Sequence, residues 1–428
     1  MSELPTRAEL RAKETSAGPT IARHGRLKEH RPFRFILMML VAVIGVVSVS
    51  SVSVAAYALW DVTSSLKAPV KLVDAKGQPI PQVGAIDGAF NVLLAGSDSG
   101  GGNASYGERG ENLNDVTMLL HVSADHKNMT VVSFPRDMYV PIPACPDGKG
   151  GTYDAMSRQK INNTLAYGGL ACTVLTVEKL TGMTIPYAGV IEFDGVIEMS
   201  NAVGGVPVCV AGDITDPYTG LDVKAGQNTL QGSQALAFLR TRHGVGDGSD
   251  LGRISNQQVF LSSLVRTIKS ADTLSNPVKV YGLAKAATSN ISLSESLNNI
   301  GTIASMAVAL KDIDLNKVVF VQYPNHYVDG GVAPTEDAAT ALFSALQNDQ
   351  SIALTGDTGV GSEADPNAPA TDTPATTAPT DGSTAPATEA PADGSTDGST
   401  DAGGTVDLPS TVHGQTANQY TCSKPFSE

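Results

Sequence analysis

Apolar and polar positions follow three different rhythms along these 428 residues. Between Phe35 and Trp60 no charged residue interrupts the apolar run. That stretch would extend about 39 Å as a helix, enough to cross a bilayer with some tilt. From Ala85 to about residue 348, short apolar stretches alternate with polar turns, the pattern of a packed domain. From about residue 351 the apolar rhythm stops.

The middle stretch reads as mixed secondary structure. Phe90-Asn-Val-Leu-Leu-Ala-Gly predicts a buried strand ending in a turn, and Val116–Val122 and Met129–Phe134 predict two strands joined by a polar turn. Residues 170–182 suit a helix with Cys172, Leu175 and Leu180 on one face. Tyr187–Phe193 predicts a strand, Gly195–Ala202 a helix stopped by Gly204-Gly205, and Val206–Val210 a strand. Helices are expected at 229–239, 256–270 and around 293–310, then a strand at Lys317–Gln322 and a helix over 335–348. Strands alternating with helices predict an α/β domain, with a sheet layered between helices.

The ends differ in charge. Eight Lys/Arg against four acids occupy residues 1–34, and Arg23, Arg26, Lys28, Arg31 and Arg34 precede the apolar run. The positive-inside rule then places the N-terminus in the cytoplasm and everything after Asp61 outside. Ala56-Tyr57-Ala58 would suit a signal-peptidase site, but the apolar run exceeds the length of a cleaved leader, which favours a retained anchor. Between 351 and 423 there is no Lys or Arg but ten acids, in an Ala/Pro/Thr/Asp/Gly/Ser background. Such a segment cannot bury enough apolar surface to offset its chain entropy and is expected to be disordered. It carries much of the net charge of -14, so the folded domain is nearer neutral. The expected organisation is a cytoplasmic segment 1–34, a transmembrane helix 35–60, a spacer 61–84, a folded domain 85–348, a disordered linker 349–410 and a tail 411–428 holding Cys422.

The four cysteines, Cys145, Cys172, Cys209 and Cys422, all fall on the outer side, where an even number suggests two disulfides. Three pairings are open. Cys145–Cys172 with Cys209–Cys422 is preferred because the first pair brackets one loop-rich region. No Cys-x-x-Cys, His-Glu-x-x-His or Gly-x-Ser-x-Gly occurs, which leaves zinc, thiol-redox and serine-hydrolase chemistry without support. External placement and acidity disfavour nucleic acid.

The densest chemistry lies in residues 239–258, where Arg240, Arg242 and Arg253 flank a glycine-rich loop. Guanidinium forks match phosphate oxygens, and glycines let backbone N–H groups approach an anion. Alone, such a stretch is as readily a solvated loop. Four further places put polar groups at strand ends, where α/β sites gather. They are Asp98, Asp115, the pair Arg136-Asp137, and Lys160 with Arg158 and Asn162. Two carboxylates among hydroxyls and amides are the inventory of a Mg²⁺ site, with Mn²⁺ as the alternative, and the cations around them suit pyrophosphate. Taken singly, the aspartates would serve turns or caps.

In this order the motifs resemble those of the LytR-CpsA-Psr family. They are Leu-Leu-Ala-Gly-Ser-Asp98, Asn-Asp115-Val-Thr-Met-Leu, Phe-Pro-Arg136-Asp137, Lys160-Ile-Asn162, Gly-Gly-Val-Pro-Val, and Arg240-Thr-Arg242 followed by Asp250, Arg253 and Gln257-Gln258. The resemblance covers roughly residues 85–348 and the preceding anchor. It implies a three-layer sandwich with a central mixed β-sheet flanked by helices, and an apolar pocket for a lipid tail. It also implies an enzyme that moves a glycopolymer of arabinogalactan, teichoic acid or capsule type from a polyprenyl-pyrophosphate carrier onto peptidoglycan. Carried over, Asp98 and Asp115 would hold Mg²⁺. Arg136, Lys160, Arg240, Arg242 and Arg253 would grip the pyrophosphate with Gln257 or Gln258 beside them, and Asp137 would orient Arg136 or act as a base. One position departs: Leu113 stands where the family often has an Arg, with Arg109 as a candidate substitute. A lipid- or glycan-binding protein without turnover and an extracellular polyprenyl pyrophosphatase are the competing functions.

Overall fold

A computed structural model of the chain describes residues 32–73, 78, 88–98, 112–368 and 404–427. Two compact units result, Met1–Leu59 and Trp60–Glu428. Helix α1 (Pro32–Ser64) begins in the first and is long and apolar enough to cross a membrane. Its serines do not spoil it for that role. Ser51 and Ser53 each donate to the carbonyl four residues back at 2.8 Å, so their hydroxyls are satisfied within the helix.

A seven-stranded mixed sheet organises the second unit. Its strands are β1 (Phe90–Ser97), β2 (Asn114–Val122), β3 (Met129–Phe134), β4 (Tyr187–Ile191), β5 (Ile291–Leu293), β6 (Val318–Gln322) and β7 (Gly414–Thr416), in the order β5-β4-β1-β2-β3-β6-β7. The pairs β1/β4 and β3/β6 run parallel, the others antiparallel. Strand periodicity sorts the side chains to two faces. Leu93, Ala95, Val132, Val319 and Val321 pack under α2 (Thr164–Thr181) and α8 (Glu336–Gln347). Phe90, Val92, Val131, Val318 and Phe320 face the side covered by α5 (Asp250–Lys269) and α7 (Ile300–Lys311). The expected three-layer sandwich is present.

Several element boundaries differ from the sequence expectation. Residues 226–230 form a strand paired with Val206–Val210, so the helix expected at 229 starts at Ser233, after Gly232 turns the chain at φ 60°. That helix, α4 (Ser233–Arg240), ends at an arginine. Helix α5 begins six residues before its expected start because the Ser249 side chain accepts from the N–H groups of Leu251 and Gly252. The stretch around 293–310 divides into β5 and α7. Helix α6 (Pro277–Asn290) was not legible; Asn276 caps it and Pro277 opens it, but its apolar residues make no clear stripe. The strand expected to run to Phe193 stops at Ile191, and Phe193 opens α3 (Phe193–Val203).

The C-terminal boundary needs the largest correction. Residues 349–410 do not all form a linker: Ser351–Leu354 pairs with Thr405–Leu408, and Ser362–Ala364 pairs with Thr421–Ser423. Strand β7 closes the edge of the central sheet against β6. Ordering here comes from long-range pairing, which composition does not register. Residues 369–403 lie outside the described residues, as do the N-terminal basic segment and Arg109. Both disulfides follow the preferred pairing, Cys145–Cys172 and Cys209–Cys422.

Candidate active site

The ends of β1 and β2 open the site. A bulge at Gly96/Ser97 shifts the register there. Asp98, 4% exposed, donates its N–H to the Leu113 carbonyl at 3.2 Å, and its Oδ1 accepts from Leu113 N–H at 2.9 Å. Leu113 thus contributes its backbone to the first carboxylate, while its apolar side chain supplies no cation. Asp115 lies two residues on and turns its carboxylate to the arginines.

The loop after β3 and helix α5 bring two arginines to Asp115. Arg136 follows β3 and pairs through Nη1 with Asp115 Oδ1, while its backbone N–H donates to Asp250 Oδ2 at 2.8 Å. Arg253, only 3% exposed, donates through Nη2 to the Asp115 carbonyl at 2.7 Å and pairs with Asp250 one turn earlier on α5. Lys160 pairs with Asp137 Oδ1 at 2.9 Å, and Arg136 Nε lies 3.5 Å from Asp137 Oδ2. Gln257 follows Arg253 by one turn on the same helix face and donates to the Leu239 carbonyl at 2.9 Å.

Arg240 and Arg242 are positioned by the residue between them. Thr241 is buried and extended, and its hydroxyl donates to the buried Asp216 at 2.6 Å. The Arg240 guanidinium lies over the Phe193 ring at 4.3 Å. Arg242 faces the other cations. Burial first, and then the charges of Arg136 and Arg253, lower its affinity for a proton, against the pull of Asp250 and Asp137. Its Nε is buried with no hydrogen-bond partner. Asp115, Asp137 and Asp250 offset part of the charge of Arg136, Lys160 and Arg253, and Arg242 is left without a close carboxylate partner among the described ion pairs.

Asp137 has a different setting. Burial raises its carboxyl, but the Lys160 hydrogen bond and the charges of Arg136, Lys160 and Arg242 prevail and hold it below the usual aspartate range. A carboxylate so stabilised is a weak proton acceptor. Its hydrogen bond is with Lys160 at 2.9 Å, while Arg136 Nε stands 3.5 Å away without one.

The glycine loop also differs from expectation. Its backbone N–H groups are turned to the protein rather than held open for an anion. Gly246 donates to Lys424, Gly248 to Val245, and Gly252 to the Ser249 hydroxyl. The C-terminal segment lies against it, with Phe426 and Ser427 N–H donating to Gly244 and Gly246 carbonyls. A Cβ on Gly361 would stand 2.1 Å from the Gly252 carbonyl oxygen, so these glycines permit close packing of the tail.

Beneath the arginines lies a cavity of about 200 Å³. Leu94, Val116, Met118, Phe193, Met199 and Leu236 give it apolar walls, and Ser97, Asp115, Glu192, Arg240, Arg253 and Gln257 are its polar lining. Asp98 is not among its lining residues, and Arg158 stands apart, exposed with its guanidinium 3.7 Å from the Tyr139 ring centroid. Asp250 and Phe193 were missed as site residues. Ser249-Asp250 ahead of an amphipathic stretch was the available cue to a helix start.

The LytR_cpsA_psr family model matches residues 58–350. The cell wall biosynthesis protein LcpA of Corynebacterium glutamicum is 32% identical over 281 residues, 59% of this chain and 53% of LcpA, so the chain spans about half the length of that relative. The polyisoprenyl-teichoic acid–peptidoglycan teichoic acid transferase TagU of Enterococcus faecalis is 30% identical over 244 residues, 57% of this chain and 72% of TagU. Among solved structures, the LytR-Csp2A-Psr enzyme from Actinomyces oris superposes with a TM-score of 0.51 at 21% identity, over 66% of this chain and 96% of that one, a likeness of fold.

Proposed function

The chain belongs to the LytR-CpsA-Psr family, and we propose that it is a transferase moving a glycopolymer from a polyprenyl-pyrophosphate carrier to peptidoglycan through a phosphodiester bond. The polymer would be of arabinogalactan, teichoic acid or capsule type. The observation that carries this reading is the junction of an apolar cavity with the guanidinium groups of Arg240 and Arg253. A donor with a long apolar tail and a pyrophosphate head needs both surfaces, meeting at one point.

The side chains divide the work. The cavity takes the proximal isoprene units and excludes water from the head group. Arg136, Arg242 and Arg253 hold pyrophosphate oxygens, with Arg240 and Gln257 in the cavity's polar lining, and Lys160 adds charge through its pair with Asp137. An acceptor hydroxyl oxygen attacks the phosphorus that bears the glycan. The bond to the bridging oxygen breaks, polyprenyl phosphate leaves, and the hydroxyl proton passes to the leaving phosphate or solvent. Positioning and electrostatics supply most of such a rate enhancement.

Asp98 and Asp115, beside the paired ends of β1 and β2, would hold a hard cation; Asp115 Oδ2 lies 4.0 Å from Arg253 Nη1, beyond hydrogen-bond contact. Mg²⁺ or Mn²⁺ held there would supply further charge neutralisation of the phosphates. Helix α1 serves as a single-pass anchor with the N-terminus cytoplasmic and the domain outside, a placement that the two disulfides favour.

The test is incubation of the full-length protein in nanodiscs with a polyprenyl-pyrophosphate glycan, Mg²⁺ and peptidoglycan. Glycan linked through phosphate to peptidoglycan is the expected product. Phosphate release without linkage would instead make the protein a pyrophosphatase, and donor binding without turnover would make it a carrier-binding protein.

A further inference from the structure

A hairpin formed by Asn325–Val328 and Gly331–Pro334 is fixed to both loops that carry the cations. On one side, Val332 N–H donates to the Asp137 carbonyl at 3.3 Å, and Met138 bridges to Val332. A Cβ on Gly331 would stand 2.3 Å from that same carbonyl oxygen, so the close approach requires glycine. On the other side, the Tyr327 hydroxyl donates to Asp247 Oδ2 at 3.2 Å, in the loop joining Arg242 to Asp250. Despite this tether Tyr327 is 63% exposed. A ring anchored by its hydroxyl and otherwise open to water is a preformed contact surface, since its orientation is already fixed.

The chain of contacts places this ring relative to the reaction. Asp115 and Arg253 line the apolar cavity; Arg136 pairs with Asp115 and approaches Asp137; Asp137 meets the hairpin. Among the described residues, none of the hairpin lines the cavity. In-line displacement at phosphorus sets the attacking oxygen opposite the leaving one. With the isoprenoid in the cavity, the leaving phosphate would point toward it and the acceptor would approach from outside the cavity, where the hairpin adjoins the Arg136-Asp137 loop. One face of an amino-sugar pyranose presents C–H groups that pack well on a phenol ring.

We propose that the hairpin spanning Asn325–Pro334 is the docking platform for the acceptor saccharide, with the ring of Tyr327 as its stacking surface. This rests on the transferase reading above. The test uses full-length protein in nanodiscs and peptidoglycan disaccharide-peptide fragments, with binding followed by saturation-transfer NMR. Tyr327→Ala is expected to weaken fragment binding about tenfold, whereas Tyr327→Phe, which keeps the ring but loses the hydroxyl tether to Asp247, should weaken it by less, about twofold to threefold. In transfer assays the loss should fall on the acceptor KM rather than the donor KM. Equal fragment binding by wild type and Tyr327→Ala, or no binding by wild type, overturns the platform. Ring-dependent binding by a wild-type protein that never transfers glycan supports the platform and removes the transferase reading alone.

Discussion

The backbone N–H of Arg136 donates to Asp250 Oδ2 at 2.8 Å, joining the loop after β3 to the first turn of α5 across 114 residues of sequence. The same carboxylate pairs with Arg253, so one buried group fixes two of the arginines. Asp250→Ala leaves both without this partner. It should destabilise the protein by about 3–5 kcal/mol, as breaking a buried charged pair does. Thermal unfolding followed by circular dichroism measures this, and a change within error would show that Asp250 does not organise the site.

Arg242 and Arg253 should be needed for transfer in different ways. Arg242→Ala removes a cation that crowds its neighbours, so stability should hold or rise slightly while transfer falls about 100-fold. Arg253→Lys keeps the charge but loses the fork that reaches the Asp115 carbonyl, and should lower both stability and rate. Steady-state transfer rates beside melting curves separate the two.

The pair Asp137–Lys160 should leave a signature in pH dependence. The Asp137 carboxyl titrates below its ordinary value of 3.8 in the folded protein. Its contribution is therefore fully present above the unfolded-state value and is lost as pH falls through the lower, folded one. Wild type should lose its advantage over Asp137→Asn as pH drops below about 4. A melting-temperature difference between the two that stayed constant down to pH 2 would exclude the linkage.

Removing the Cys209–Cys422 disulfide should release the C-terminal segment. A Cys209→Ser/Cys422→Ser double variant is expected to lose about 2–4 kcal/mol. Amide exchange should rise at Gly246, whose N–H is held by Lys424. Denaturant titration and hydrogen exchange read both effects, and unchanged protection at Gly246 would mean that strand pairing alone holds the tail.

Chelation should abolish transfer and Mg²⁺ or Mn²⁺ restore it. Asp98→Asn and Asp115→Asn should each raise the Mg²⁺ concentration for half-maximal rate, about tenfold or more. Asp115→Asn should also lower the melting temperature because it uncouples Arg136. Full activity in chelator would remove the cation from the mechanism.

The candidate residues could be picked out because they sit beside recognisable strand ends. Asp98, Asp115 and Arg136-Asp137 each flank a short run rich in Val, Leu, Met or Phe that marks a strand, and the α/β layout follows from the same pattern. Other features were hidden by their partners. Nothing near Asp250 in sequence announces that it receives the N–H of Arg136. Gly246 looks like part of an anion cradle until Lys424 is brought against it.

Local pattern by itself determined the apolar span, the main strands and most helices, because apolar periodicity is a property of neighbouring residues. It also supplied the inventory of carboxylates and guanidinium groups. Only the tertiary structure decided how that inventory is used. Sheet order brings β1, β2 and β3 side by side, and the Ser249 cap starts α5 early enough to set Asp250, Arg253 and Gln257 on one face. The acidic tail shows the limit most clearly. Its composition resists forming a core of its own, yet Gly414–Thr416 and Thr421–Ser423 are ordered by edges that the rest of the chain leaves open. Pairing energy of that kind depends on strands far away in sequence, Val319–Val321 and Cys209–Val210, and no local window contains it.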